Sequence, residues 1–207
     1  YVCKQQGMGV MNYQQKIEAH LRASRGMITA AYCKENQIPT IYLSRMVSQG
    51  VLNRVAPGLY LASSGDYDTF FFFQYRYKQS VFSHETALYL LGATDRIIQS
   101  MDVTVSSNYK FNAPMRDIRL HRVRKSWLHL GITEATTMYG NPVRVYSYER
   151  TICDFIRQKA EMDSEVYINL LRSYGQYDKR QPQQLYEIAT QMNMIDEVRQ
   201  VMELVYE

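Results

Sequence analysis

The sequence predicts an α+β chain: an N-terminal winged helix-turn-helix domain, then a larger mixed α/β domain with a helical C-terminus. Three observations carry this expectation. Residues 13–62 show three short helical patterns followed by two strand-like runs around Ala56-Pro57-Gly58. Strand-like alternation returns at Met101–Val105, Ile118–His121 and Val143–Tyr146. From Tyr148 onward the apolar spacing is that of helices. The expected divisions are a leader or remnant at 1–10, the winged helix at 11–62 and the second domain at 63–207.

Residues 1–10 show no periodicity, so Met11 reads as the natural start. Ile17 and Leu21, with Ala23 more weakly, mark a first helix from Tyr13, closed by Ser24-Arg25-Gly26. Thr29 is a good N-cap for a short helix through Lys34. Asn36-Gln37-Ile38-Pro39 breaks it, because proline lacks the amide donor and its predecessor avoids helical angles. Thr40 restarts a helix in which Leu43, Met46 and Val47 share one face, and Gly50 ends it. Leu52–Val55 and Leu59–Ala62 then flank a turn, as in a hairpin.

Beyond Ala62, Ser63-Ser64-Gly65-Asp66 reads as a linker, with Asp66 as a helix cap. The aromatic run Phe70 to Tyr77 is expected to pack at the interdomain boundary. Ser83 caps a helix over His84–Leu91 that stops at Gly92. Apolar stripes at Ile152, Phe155 and Ile156, at Val166, Leu170 and Leu171, and at Ile188, Met192, Ile195, Val198 and Val201 carry the end.

Charge is unevenly distributed. Residues 1–62 hold seven Lys/Arg against two Asp/Glu, a net of +5; residues 63–147 carry +3 and residues 148–207 carry −4. A basic front suggests an anionic partner. No apolar run approaches the ~20 residues of a membrane span, and the first ten residues hold no signal-peptide stretch. Three distant cysteines (Cys3, Cys33 and Cys153) fit reduced thiols in a cytoplasm better than a disulfide framework. No metal is expected, since the four histidines lack H-E-x-x-H spacing and no C-x-x-C occurs. No cofactor is expected either, in the absence of a glycine-rich phosphate loop or a Rossmann fingerprint. Ser83-His84-Glu85 is read as a helix start, because adjacent helical residues point about 100° apart and cannot form a catalytic line. Asp102 and Asp117 lack the Glu-x-Lys of a metal-dependent nuclease, and no catalytic residue is assigned.

With Leu43, Met46 and Val47 turned inward, the third helix leaves Thr40, Tyr42, Ser44, Arg45, Ser48 and Gln49 for the outer surface. In helix-turn-helix proteins that face meets base edges, and Arg donates two hydrogen bonds to guanine. Arg54 on the first strand is placed for phosphate or minor groove, and Arg22, Arg25 and Lys34 add a sequence-independent attraction. Short three-helix units also serve as protein-docking modules. Arg116, Arg119, Arg122, Arg124 and Lys125 form a second basic cluster: a contact surface for DNA backbone or a protein, or a solvated strand edge. Arg150 and Asp154, four apart, pair on one helix face at ~0.3–0.5 kcal/mol if exposed.

Leu43-Ser44-Arg45 followed by Arg54-Val55-Ala56-Pro57-Gly58-Leu59-Tyr60 resembles the N-terminal module of AbiEi-type antitoxins. Phe82 to Gly92 with Asp95-Arg96, then Gly131 to Glu134, Val143 to Tyr146 and Glu149 to Asp154, resemble that family's later blocks in order. The resemblance implies a type IV antitoxin of bacterial abortive infection against phage. In that family the winged helix binds inverted repeats upstream of its own operon and represses it. The second domain, here 63–207, counteracts an AbiEii-like nucleotidyltransferase toxin without a lasting complex. Ser44, Arg45 and Arg54 match the DNA-reading module, Tyr42 and Gln49 would set operator choice, and no antitoxic residue carries over. The leader before Met11 departs from the family pattern. Two alternatives stay open: a plain repressor whose second domain binds a ligand or dimerises, and a nuclease-type enzyme.

Overall fold

The structure, a computed structural model, describes residues 12–112, 116–161 and 164–206. The leader, Met11, Cys3 and the side chain of Val166 lie outside the described residues. Among the described residues helices and strands are mixed, and the strands form two sheets, one of three strands and one of five. The chain divides into two compact units after Arg76.

The first unit begins with α1 (Tyr13–Ala23), closed at its start by a reciprocal capping box between Asn12 and Gln15. β1 (Met27–Thr29) follows, then α2 (Ala30–Glu35), whose first turn is capped by Thr29 accepting from the Tyr32 amide. α3 (Ile41–Ser48) comes next, then β2 (Leu52–Ala56) and β3 (Leu59–Ala62). The short β1 pairs antiparallel with β3, so β3 lies between β1 and β2. Gly58 turns the hairpin with a φ of +75°, a conformation open to glycine. Ile17, Ile28, Cys33, Ile38, Leu43, Met46 and Leu52 form the core between helices and sheet. Removing each large aliphatic side chain from water contributes about 1.5–3 kcal/mol.

The expected linker hands over to α4 (Thr69–Arg76), which belongs to this first unit rather than the second. Its Phe72 is buried against Ala56, Leu59 and Leu61 of the hairpin, which draws the division from the expected 62/63 to Arg76. The helix is capped by Asp68, not by Asp66: Asp68 is buried and accepts from the Phe71 amide at 3.0 Å. Asp66 lies too early, and its carboxylate is 3.9 Å from the Arg25 guanidinium at the surface.

The second unit is built on a sheet of β4 (Val81–Phe82), β5 (Met101–Ser106), β6 (Ile118–Val123), β7 (Ile132–Thr136) and β8 (Pro142–Tyr146). Their order is β6-β5-β4-β8-β7, with β5–β6 and β4–β8 parallel and the other pairs antiparallel. α5 (His84–Leu90) packs on this sheet. α6 (Tyr148–Arg157), α7 (Ser164–Gln176), α8 (Pro182–Gln191) and α9 (Ile195–Tyr206) follow it. Ile152, Phe155, Leu170, Leu171, Ile188, Met192 and Val198 of the expected stripes are buried in one core, joined by Tyr148 and Tyr174. The Tyr148 hydroxyl donates to the Leu170 carbonyl at 3.0 Å, so its burial leaves no orphaned polar group.

Arg150 and Asp154 do pair, but inside the unit rather than on its surface. Arg150 is fully buried; its Nε lies 3.1 Å from both Asp154 oxygens, and one terminal nitrogen donates to the Trp127 and Leu130 carbonyls. The guanidinium also lies over the Tyr146 ring, 4.2 Å from its centroid. Among the described residues no helix is long and apolar enough to cross a membrane. Cys33 and Cys153 are free and buried, and burial pushes the Cys153 thiol up to about 12, which keeps it protonated.

Candidate functional site

In the first unit, α3 buries Leu43 and Met46 and leaves Thr40, Ser44, Arg45, Ser48 and Gln49 exposed. Arg54, Arg22, Arg25 and Lys34 are exposed as well. Tyr42 is the departure: it is half-buried, its ring 5.4 Å from that of Tyr13, so it props α3 against α1 rather than standing free. The Arg45 guanidinium sits 5.6 Å from the Tyr42 centroid, which orients the arginine while leaving its donors outward. The Ser48 hydroxyl donates to the Ser44 carbonyl one turn back and keeps its acceptor capacity for a partner.

Sequence reading missed two members of this face. Ile41, at the start of α3, is 52% exposed and stands on the same side as the polar face. Asn53, beside Arg54 on β2, is exposed too. An apolar residue does not announce exposure in a short amphipathic pattern, and Asn53 reads as an ordinary strand position. α1 and α2 are held together partly by His20 stacked on Tyr32 at 3.6 Å.

The second basic cluster does not form one surface. Successive residues of β6 point to opposite faces, so Arg119 and Arg122 part company. Arg119 reaches Asp102 at 3.4 Å, while Arg122 donates to the Ser107 and Tyr109 carbonyls and fixes the loop after β5. Arg124 lies over the Trp127 ring at 4.8 Å, Arg116 is exposed 3.9 Å from the Asp117 carboxylate, and Lys125 begins a 3₁₀ turn.

A buried polar cluster also appears in the second unit. Asp102 Oδ1 accepts from His121 Nε2 at 2.8 Å, and the Asp102 amide donates to Thr86. His84 stacks on His121 with centroids 3.7 Å apart and planes 18° from parallel. Ser83 occupies the cap position of α5 without capping it: its oxygen instead accepts from Thr104 at 2.8 Å and lies 3.1 Å from His84 Nδ1. His84 takes a φ of +50°, a strained value for histidine. His84 Nε2 and Asp102 Oδ2 are buried without a partner in hydrogen-bond geometry.

The ligand atoms of His84, Asp102 and His121 lie within 4.8 Å of one another. Lone pairs of imidazole nitrogens lie in the ring planes. Two nearly parallel rings 3.7 Å apart cannot aim both at one ion. With Arg119 on the same carboxylate, the cluster is built as a stacked, hydrogen-bonded unit rather than as a converging ligand set. No nucleophile here faces solvent, since Ser83 is fully buried.

Burial holds the His84 imidazole well below the usual histidine range, with His121 as the next cause and the Gln158 side chain opposing. The folded unit therefore refuses a proton that the unfolded chain accepts below about pH 6.5. Its stability is full above that pH and is lost as pH falls, by up to about 1.4 kcal/mol per unit of pH. Urea unfolding at pH 7.5 and 5.5, followed by the fluorescence of the single tryptophan (Trp127, in this unit), should show the loss. His84→Gln should flatten the pH dependence, and an unchanged slope would contradict the assignment.

No family model matches this chain, and no curated protein is significantly similar to it.

Proposed function

We propose that the first unit is a winged helix-turn-helix module that binds double-stranded DNA, with α3 in the major groove and the β2–β3 hairpin as the wing. The observation that carries this reading is the division of α3: Leu43 and Met46 are buried, while Thr40, Ile41, Ser44, Arg45, Ser48 and Gln49 face solvent. Such a face offers guanine a bidentate donor in Arg45, a thymine methyl an apolar contact in Ile41, and phosphates several hydroxyls. The +5 charge over residues 1–62 supplies the non-specific attraction.

We propose further that the protein is a type IV antitoxin that represses its own operon at inverted repeats, its second unit counteracting a nucleotidyltransferase toxin. The ordered sequence blocks that resemble the AbiEi family support this second step. In this reading the protein acts in the bacterial cytoplasm, as a repressor and not an enzyme.

Anisotropy titration of labelled DNA from upstream of the operon, at several salt concentrations, tests the first step. Arg45→Ala is expected to weaken operator binding by ~1–3 kcal/mol and to relax sequence preference. Arg54→Ala should weaken all sequences alike and reduce the salt slope by ~1. Wild-type behaviour of both variants would remove the interface. Co-expression of the full chain with its neighbouring gene tests the second step: growth rescue that survives Arg45→Ala supports two separable activities, and no rescue leaves a plain repressor.

A further inference from the structure

We infer that a cavity at the carboxyl ends of β5 and β6 is a binding site for a mononucleotide, its phosphates held by Lys110 and Lys125. This inference rests only on the second unit and is independent of the DNA-binding reading. The cavity has a volume of about 660 Å³, within the ~300–1,000 Å³ of small-molecule sites. Strands β5 and β6 run parallel, so their carboxyl ends open on the same side, where ligands of such sheets bind.

The lining fits the charge of a phosphorylated ligand. Lys78, Lys110, Lys125 and Arg144 contribute to the wall, and among the described residues no Asp or Glu lines it. Lys110 and Lys125 bring two mobile positive charges to one concave site, and the concavity focuses their field on an entering anion. Arg144 is already tethered to the Ser80 carbonyl and that of Lys78, and so is a fixed charge. Lys110 and Lys125 are exposed side chains on flexible stems, suited to close on phosphate oxygens.

A second observation also points to a ligand. Ser106, the last residue of β5, is 7% exposed and lines this cavity, yet its Oγ has no hydrogen-bond partner within the protein. A buried hydroxyl without a partner carries an unfavourable free energy, which turning the Ser106 side chain toward a ligand atom in the cavity would relieve. The rest of the lining says more than phosphate is accommodated. Val81, Leu128 and Ile132 give the cavity apolar lining, and Tyr109 adds an aromatic residue to it. Arg122 fixes the backbone of the Tyr109 loop through the Ser107 and Tyr109 carbonyls, which keeps this aromatic residue in the lining. A charged phosphate end joined to a flat, partly apolar body is the chemistry of a nucleotide, and a duplex is too wide to enter.

Calorimetric titration of the full chain with ATP in magnesium-free buffer tests the site, with adenosine and inorganic tripolyphosphate as separate arms. Saturable ATP binding is expected, with adenosine and tripolyphosphate each at least about tenfold weaker. Lys110→Glu with Lys125→Glu should abolish ATP binding and leave the thermal midpoint and operator affinity as they are. Ser106→Ala should weaken ATP binding several-fold while leaving stability unchanged or higher, which a merely structural serine would not do. The inference fails if ATP does not saturate at millimolar concentration, if tripolyphosphate equals ATP, or if the lysine variant binds as wild type.

Discussion

Arg150→Met is expected to destabilise the second unit by about 3–5 kcal/mol, a large share of the stability of a small domain. Three losses combine. Asp154 is left as a buried carboxylate whose pKa burial already pushes upward, and Arg150 is the first group opposing that shift. The Trp127 and Leu130 carbonyls lose their donor. The Tyr146 ring loses the cation above it. Methionine fills much of the arginine stem, so the effect reads charge and hydrogen bonding more than volume. Urea unfolding followed by Trp127 fluorescence measures it directly, because Trp127 lies in this unit. Adding Asp154→Leu should recover part of the loss, since an unpaired buried ion is worse than none. A single-variant loss below about 1 kcal/mol would mean that water reaches the pair.

Gly131→Ala is the second large effect, expected at about 2–5 kcal/mol. Gly131 has a φ of +71°, and a Cβ there would lie 2.6 Å from Arg150 Cβ and 2.9 Å from Ile188 Cδ1. The left-handed conformation costs an alanine roughly 1–2 kcal/mol, and overpacking adds ~1–3 kcal/mol. The nearest atom is next to a helix backbone, so it cannot swing aside. Gly131 cannot move freely either, because its carbonyl accepts from the Ser147 amide at 2.7 Å beside the start of α6. Asparagine tolerates this φ but carries the same Cβ, so Gly131→Asn should be nearly as damaging. Gly58→Asn offers the contrast: φ is +75° there, but the nearest atoms are 3.6 Å away, and a loss under ~1 kcal/mol is expected. Because Gly131 touches Arg150, the two largest substitutions should not add.

The helices of the first unit were legible because Ile17 and Leu21, or Leu43 and Met46, repeat at helical spacing and Thr29 and Gly50 mark ends. The hairpin was legible because Pro57-Gly58 separates two short apolar runs. β1 and β4 were not: at three and two residues, they are too short to show alternation. The four-residue spacing of Arg150 and Asp154 told of a pair but not of its burial. That burial depends on carbonyls from Trp127 and Leu130, about twenty residues away. Ser83 stands where a cap stands, yet Thr104 and His84 occupy its hydroxyl. Both the stacked cluster and the cavity draw residues from distant strands, which local patterning does not bring together.

Because β3 is hydrogen-bonded along both sides, its amides have no open edge, whereas β2 keeps one row of backbone groups facing away from the sheet. Deuterium uptake should divide the hairpin accordingly: Tyr60 and its neighbours exchange only when the whole lobe opens, and outward amides near Arg54 exchange far sooner. The hairpin that carries Arg54 is thus anchored by one slow strand and free to breathe on the other.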